Sequence, residues 1–92
     1  MKNNPTSTID LNLHQLSCTI SPNPCREHLM IQLTQQSGLI NVSILNIFGQ
    51  VIYQGEIEND ELEIDTRSLP SGLLLVNLTS ENQVLSTKII KE

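Results

Sequence analysis

The sequence predicts an all-β domain, on three observations. No alanine, the strongest helix former, occurs anywhere in its 92 residues. Eleven Ile, fourteen Leu and four Val stand beside nine Asn, so strand-forming apolar residues are interleaved with turn formers. Apolar and polar residues alternate in short runs, each halted by a cluster of Gly, Pro, Asn or Ser. A chain of this length buries roughly 64% of its open-chain surface on folding, enough for one core and too little for a deep site or a second domain.

Residues 1–15 read as a flexible N-terminal arm or linker, because Asn3, Asn4, Pro5, Thr6, Ser7 and Thr8 are polar and lack a period. A sandwich domain then occupies 16–92. In the first strand Leu16, Cys18 and Ile20 share one face, and Pro22, Asn23 and Pro24 form a rigid corner after it, because each proline fixes its φ. Leu29, Ile31 and Leu33 give the second strand, which ends at Gln35–Gln36–Ser37–Gly38. Ile40, Val42 and Ile44 are the inward face of a third. It is expected to fold back on Val51–Glu56 through Gly49, which can take the positive φ of a tight reversal. Asn59–Asp60 marks the next turn, before a half-buried strand carrying Leu62 and Ile64.

Leu69–Pro70–Ser71–Gly72 suits a type I turn, with Pro second and Gly fourth. The strand behind it, Leu73–Thr79, is apolar on both faces at first and is therefore expected to be central in its sheet. A last strand runs from Val84 to Lys91. About seven short antiparallel strands at this spacing predict an immunoglobulin-like β-sandwich.

Composition excludes several functions. Ten acidic and five basic residues give a net charge of -5 with no basic stripe, so nucleic acid is not a partner. The longest apolar run is Leu73–Val76, which is too short for a transmembrane segment, and the first twenty residues carry no secretory signal.

Cys18 and Cys25 flank the proline corner. A bridge there would close a short loop worth about 2.4 kcal/mol, while Cys18 also sits on an inward face where a thiol packs as a small hydrophobe; both readings stay open. His14, Cys18, Cys25 and His28 lack paired zinc spacing. Cys25 and His28 have no residue to orient the imidazole and no oxyanion pocket, so no catalytic residue is assigned. Six carboxylates fall between Glu56 and Asp65, yet Glu61, Glu63 and Asp65 alternate with Leu62 and Ile64 as a solvated strand face does, and no calcium loop is present. No metal and no cofactor is expected.

Lys88 and Lys91, with Glu92, form a recognition candidate: two of five positive charges cluster on the last strand of an acidic domain, where they would face an acidic receptor. The same lysines would equally protect a sheet edge from aggregation.

Taken in order, ISPNP at 20–24, SILNIFGQVIY at 43–53, IDTRSLPSGLLLV at 64–76 and TKIIKE at 87–92 resemble the type A C-terminal sorting domain of the type IX (Por) secretion system of Bacteroidetes. The resemblance covers residues 16–92. It implies an immunoglobulin-like sandwich that is not an enzyme and serves as the export address of an attached cargo. Its implied partners are outer-membrane translocon or shuttle proteins and a surface protease of the sortase type that cuts upstream of the domain. The implied route runs through the periplasm to the cell surface or medium. The matching positions are Pro22, Asn23, Pro24, Gly49, Leu69, Pro70, Gly72, Lys88 and Lys91. Leu74, Leu45–Asn46 and Gln50 depart from the family's usual Tyr, Tyr-Asp and Arg. The alternative is an accessory immunoglobulin- or fibronectin-like module that binds protein or carbohydrate at the cell surface. Phe48 and Tyr53 are the only large aromatics, a poor platform for sugar.

Overall fold

A computed structural model describes residues 9–12, 17–34, 38–81 and 83–92. Within them eight strands form two four-stranded sheets: β1 (Ile9–Asn12), β2 (Ser17–Ser21), β3 (His28–Leu33), β4 (Ile40–Leu45), β5 (Val51–Ile57), β6 (Glu61–Asp65), β7 (Gly72–Thr79) and β8 (Val84–Lys91). One sheet has the order β1-β2-β3-β6 and the other β5-β4-β7-β8, with every named pair antiparallel. The sandwich of seven strands read from the sequence is present, and an eighth strand joins it. Ile9–Asn12, inside the span read as an arm, pairs with Ser17–Ile20. Ile9, Asp10, Leu11 and Asn12 do alternate in polarity, but a run of four behind a polar stretch is at the short end of strand length and is a weak signal on its own. Leu16, His14, Gln35–Ser37 and Asn82, named in the sequence reading, lie outside the described residues.

Period-two alternation builds the core. Ile20, Leu29, Ile31 and Ile64 point inward from one sheet, and Val42, Ile44, Val76, Leu78 and Ile89 from the other, all essentially without exposure. Burying a branched side chain of this kind stabilises by about 1.5–3 kcal/mol, so these two facing rows supply the main driving force. The outer face of β6 carries Glu61, Glu63 and Asp65, exposed as the alternation requires.

The β4–β5 reversal spans Asn46–Gln50, with Gly49 at φ 82°. Asn46 organises it. Its Oδ1 accepts the N–H of Phe48 at 2.9 Å and of Gln50 at 3.0 Å, and its Nδ2 donates to Gln50 Oε1 at 2.8 Å. An amide or carboxylate oxygen at this position does the same work, which is why a departure from Asp leaves the hairpin intact.

The turn before β7 differs from expectation. The closing bond runs from Leu69 N–H to Thr66 O at 3.0 Å, so the hydrogen-bonded turn is Thr66–Leu69 and not Leu69–Gly72. The Leu69 carbonyl is taken instead by the ammonium of Lys91. A charged donor offers that oxygen a stronger bond than the Gly72 amide would.

Candidate functional site

Three segments far apart in sequence meet at one pole of the sandwich: the corner at 22–27, the Thr66–Gly72 loop and the end of β8. The corner follows β2 with cis peptide bonds at Ser21–Pro22 and Asn23–Pro24, and it carries the chain onto the edge of the opposite sheet. Asn23 Oδ1 accepts the Ile90 N–H at 2.9 Å. Cys25 N–H donates to Ile90 O at 2.9 Å, and Glu92 N–H donates to Cys25 O at 2.8 Å. Antiparallel pairing turns the backbone groups of Ile90 away from β7, so an edge strand would leave them bare. The corner covers them.

The loop is fastened to the same corner. Thr66, fully buried, donates from Oγ1 to Arg26 O at 3.0 Å, while its N–H bonds Glu27 O at 3.0 Å. A buried hydroxyl costs free energy unless partnered, and here it is partnered. Beside it the Cys25 thiol is buried, and desolvation pushes its pKa upward. A hydrogen bond with Thr66 and the charge of Lys91 oppose part of that rise. Cys25 and Cys18 are not joined by a disulfide; both are buried thiols, which decides between the two readings left open above. At the rim Arg26 pairs with Glu92 at 3.0 Å, both partners well exposed.

Lys91 corrects the expectation of an exposed pair of lysines. It is 7% exposed, and its Nζ donates to Leu69 O at 3.0 Å beneath the loop. The alternation of β8 accounts for this: Leu85, Ile89 and Lys91 fall on the inward side, Lys88 and Ile90 on the outward. Lys91 thus acts as a strut, with its aliphatic stem in the core and its head on a carbonyl. Lys88 is exposed, opposite Leu75 in register.

The corner residues Pro22, Asn23 and Pro24 are half-buried, Leu69 is buried, and Pro70 and Gly72 are exposed. Gly49, at the hairpin tip, stands apart from this cluster. Sequence reasoning missed Thr66 and the side-chain role of Asn23; a threonine beside a turn and an asparagine between prolines carry no periodic signal. Among the described residues no group of three His, Cys, Asp or Glu side chains is close enough to hold a metal ion, and no helix is long and apolar enough to cross a membrane. The depressions beside the corner, lined by Glu27, His28 and Arg67 on one side and by Pro22, Pro24 and Glu92 on the other, are shallow and charged.

A family model described as a secretion system C-terminal sorting domain matches residues 19–92, which include all three segments of the pole. Among curated proteins none matches the chain. A solved structure of a DUF3244 family protein with an immunoglobulin-like β-sandwich fold, from Bacteroides vulgatus ATCC 8482, superposes with a TM-score of 0.71 at 14% identity, covering 92% of this chain and 99% of that one. At that identity the likeness is one of fold alone.

Proposed function

The chain belongs to the C-terminal sorting domain family of the type IX (Por) secretion system, and from that premise we propose that it is a non-catalytic export address, read as a folded surface by the outer-membrane translocon or its shuttle proteins. The observation that carries this reading is the meeting of the Asn23–Cys25 corner, the Thr66–Gly72 loop and the Ile90–Glu92 strand end at one pole, bonded to one another. A surface that exists only when these segments have assembled distinguishes a folded domain from an unfolded one. Glu92, just beyond β8, is an accessible charge of this surface, Lys88 is exposed further along the strand, and Lys91 supports the pole from below.

In this reading the attached cargo passes through the periplasm and reaches the surface or medium, where a protease of the sortase type cuts upstream of the domain. The acidic balance and the absence of a basic stripe suit protein contacts.

The test is to place the full chain behind a fluorescent cargo with its own inner-membrane export signal, in a type IX-competent bacterium and in a strain lacking the translocon. Surface or medium delivery in the first strain and periplasmic retention in the second is the expected result. Equal retention in both overturns the reading and favours an accessory binding module.

A further inference from the structure

Register divides the outer face of the β5-β4-β7-β8 sheet into polar and apolar halves. One row across it reads Gln54–Ser43–Asn77–Ser86, polar throughout, with Ser86 Oγ donating to Asn77 Oδ1 at 2.7 Å. The next row toward the β4–β5 turn reads Val51–Leu45–Leu75–Lys88, and beyond it Leu73 pairs with Ile90. Val51 is 52% exposed, and Leu73 and Ile90 are each 42% exposed. The adjoining turn adds Ile47 and Phe48, the latter 81% exposed. Single exposed apolar residues are ordinary on a protein surface; five gathered at one end of a sheet face and its adjoining turn, around half-buried Leu45 and Leu75, are not.

The patch holds one charge, Lys88. The remaining cations of the described residues are engaged: Arg26 with Glu92, Arg67 with Asp65, and Lys91 with a carbonyl. Those two ion pairs are the ones found among the described residues, so Lys88 stands without a carboxylate partner, and neither apolar row contains an acidic residue.

We propose that this half-face, Leu45, Val51, Leu73, Leu75 and Ile90 around Lys88, docks an apolar surface of a partner protein that presents a carboxylate to Lys88. The inference rests on the sorting reading and names the chemistry of the partner's contact. Charge complementarity selects the occupant. A second copy meeting face to face would bring Lys88 to the same apolar patch of its twin, with no carboxylate there to meet it. The domain's own acidic face, Glu61, Glu63 and Asp65 beside exposed His28 and Gln32, has on these two strands only the half-buried Met30 as apolar surface, too little to match. The apolar contact would supply affinity and the charge pair specificity, because a partner lacking the carboxylate would leave Lys88 buried and unpaired.

The cargo fusion described above separates the possibilities. Wild-type delivery is expected, with Val51→Thr/Ile90→Thr and Lys88→Glu each lowering it at least about tenfold, and Lys88→Arg retaining it. Thr preserves strand propensity, and thermal unfolding by circular dichroism should place the variants within a few degrees of wild type. Failure of the wild type itself overturns the sorting reading and this inference together. Wild-type delivery matched by all variants overturns the inference alone. Two further measurements on the purified chain bear on other occupants. Flotation with phosphatidylglycerol vesicles that is lost in Lys88→Glu would overturn the protein partner in favour of a lipid surface. A sedimenting dimer that Ile90→Thr dissociates would overturn it in favour of a second copy. A monomer that does not float is the supporting result.

Discussion

Asn23 and Ile90, 67 positions apart, are joined by a 2.9 Å bond from the Ile90 N–H to the Asn23 side-chain oxygen. An asparagine between two prolines therefore closes the edge of the last strand. Replacing it by Ala removes the acceptor and leaves the amide to water. Asn23→Ala should cost about 1 kcal/mol in denaturant unfolding. Amide exchange at Ile90 should quicken while that at Ile89, paired inside the sheet, stays slow.

The two lysines of β8 should behave as different residues. Lys91→Met keeps the stem and removes the charged bond to Leu69 O, at an expected cost of about 1.5–3 kcal/mol. Lys88→Met should leave the unfolding midpoint nearly unchanged. Amine acetylation followed by mass spectrometry gives the same contrast without mutation, Lys88 reacting quickly and Lys91 slowly. Equal labelling would contradict the strut.

Thr66→Val tests the pole from its other side. The substitution is close in shape, so little cavity forms. Arg26 O loses its donor and a methyl replaces the hydroxyl beside Cys25, for an expected loss of about 1–3 kcal/mol. Thr66→Ser, which keeps the donor, should recover most of the hydrogen-bond contribution.

Asp65 has a testable titration. Bonds from the Arg67 side chain and backbone hold its carboxyl down to about 2, from an ordinary 3.8. A carboxyl with a lowered folded-state pKa contributes stability above its unfolded value and loses that contribution as pH falls through the folded one. The pair is thus fully stabilising above about pH 4 and lost on approach to pH 2. NMR titration of the Asp65 carboxyl should give a midpoint near 2 in the wild type, moving toward 3.8 in Arg67→Ala. Both groups are exposed, so the global unfolding midpoint at neutral pH should move little.

At the β4–β5 reversal, Asn46→Ala removes the acceptor for two backbone amides and should destabilise by about 1 kcal/mol. Asn46→Asp keeps that oxygen and should be nearly neutral. A thermal shift series across the three proteins checks the order.

Much of the fold was legible because a half-buried strand repeats every two residues. Ile40, Val42 and Ile44, or Leu74, Val76 and Leu78, declare their inward face without any tertiary information. Alternation also contained the position of Lys91, since it shares parity with Leu85 and Ile89. The lysine was read by its charge, and its parity was the better guide. The dual apolarity of Leu73–Val76 predicted a central strand, and β7 does lie between β4 and β8, yet its outer leucines meet no second layer. Contacts that join distant segments, such as Thr66 to Arg26, depend on how the two sheets are connected across the core. No local pattern encodes that.

The bonds that gather the pole bridge loops of 40 and 67 residues, whereas the hairpins on either side close over a handful. Ring closure grows more costly with loop length, and native pairings of long sequence separation form slowly. The β4–β5 and β7–β8 ribbons should therefore zip early, and the corner should lock onto β8 among the last events of folding. A receptor that grips this corner would be sensing the end of maturation, and half-finished chains would pass it unnoticed.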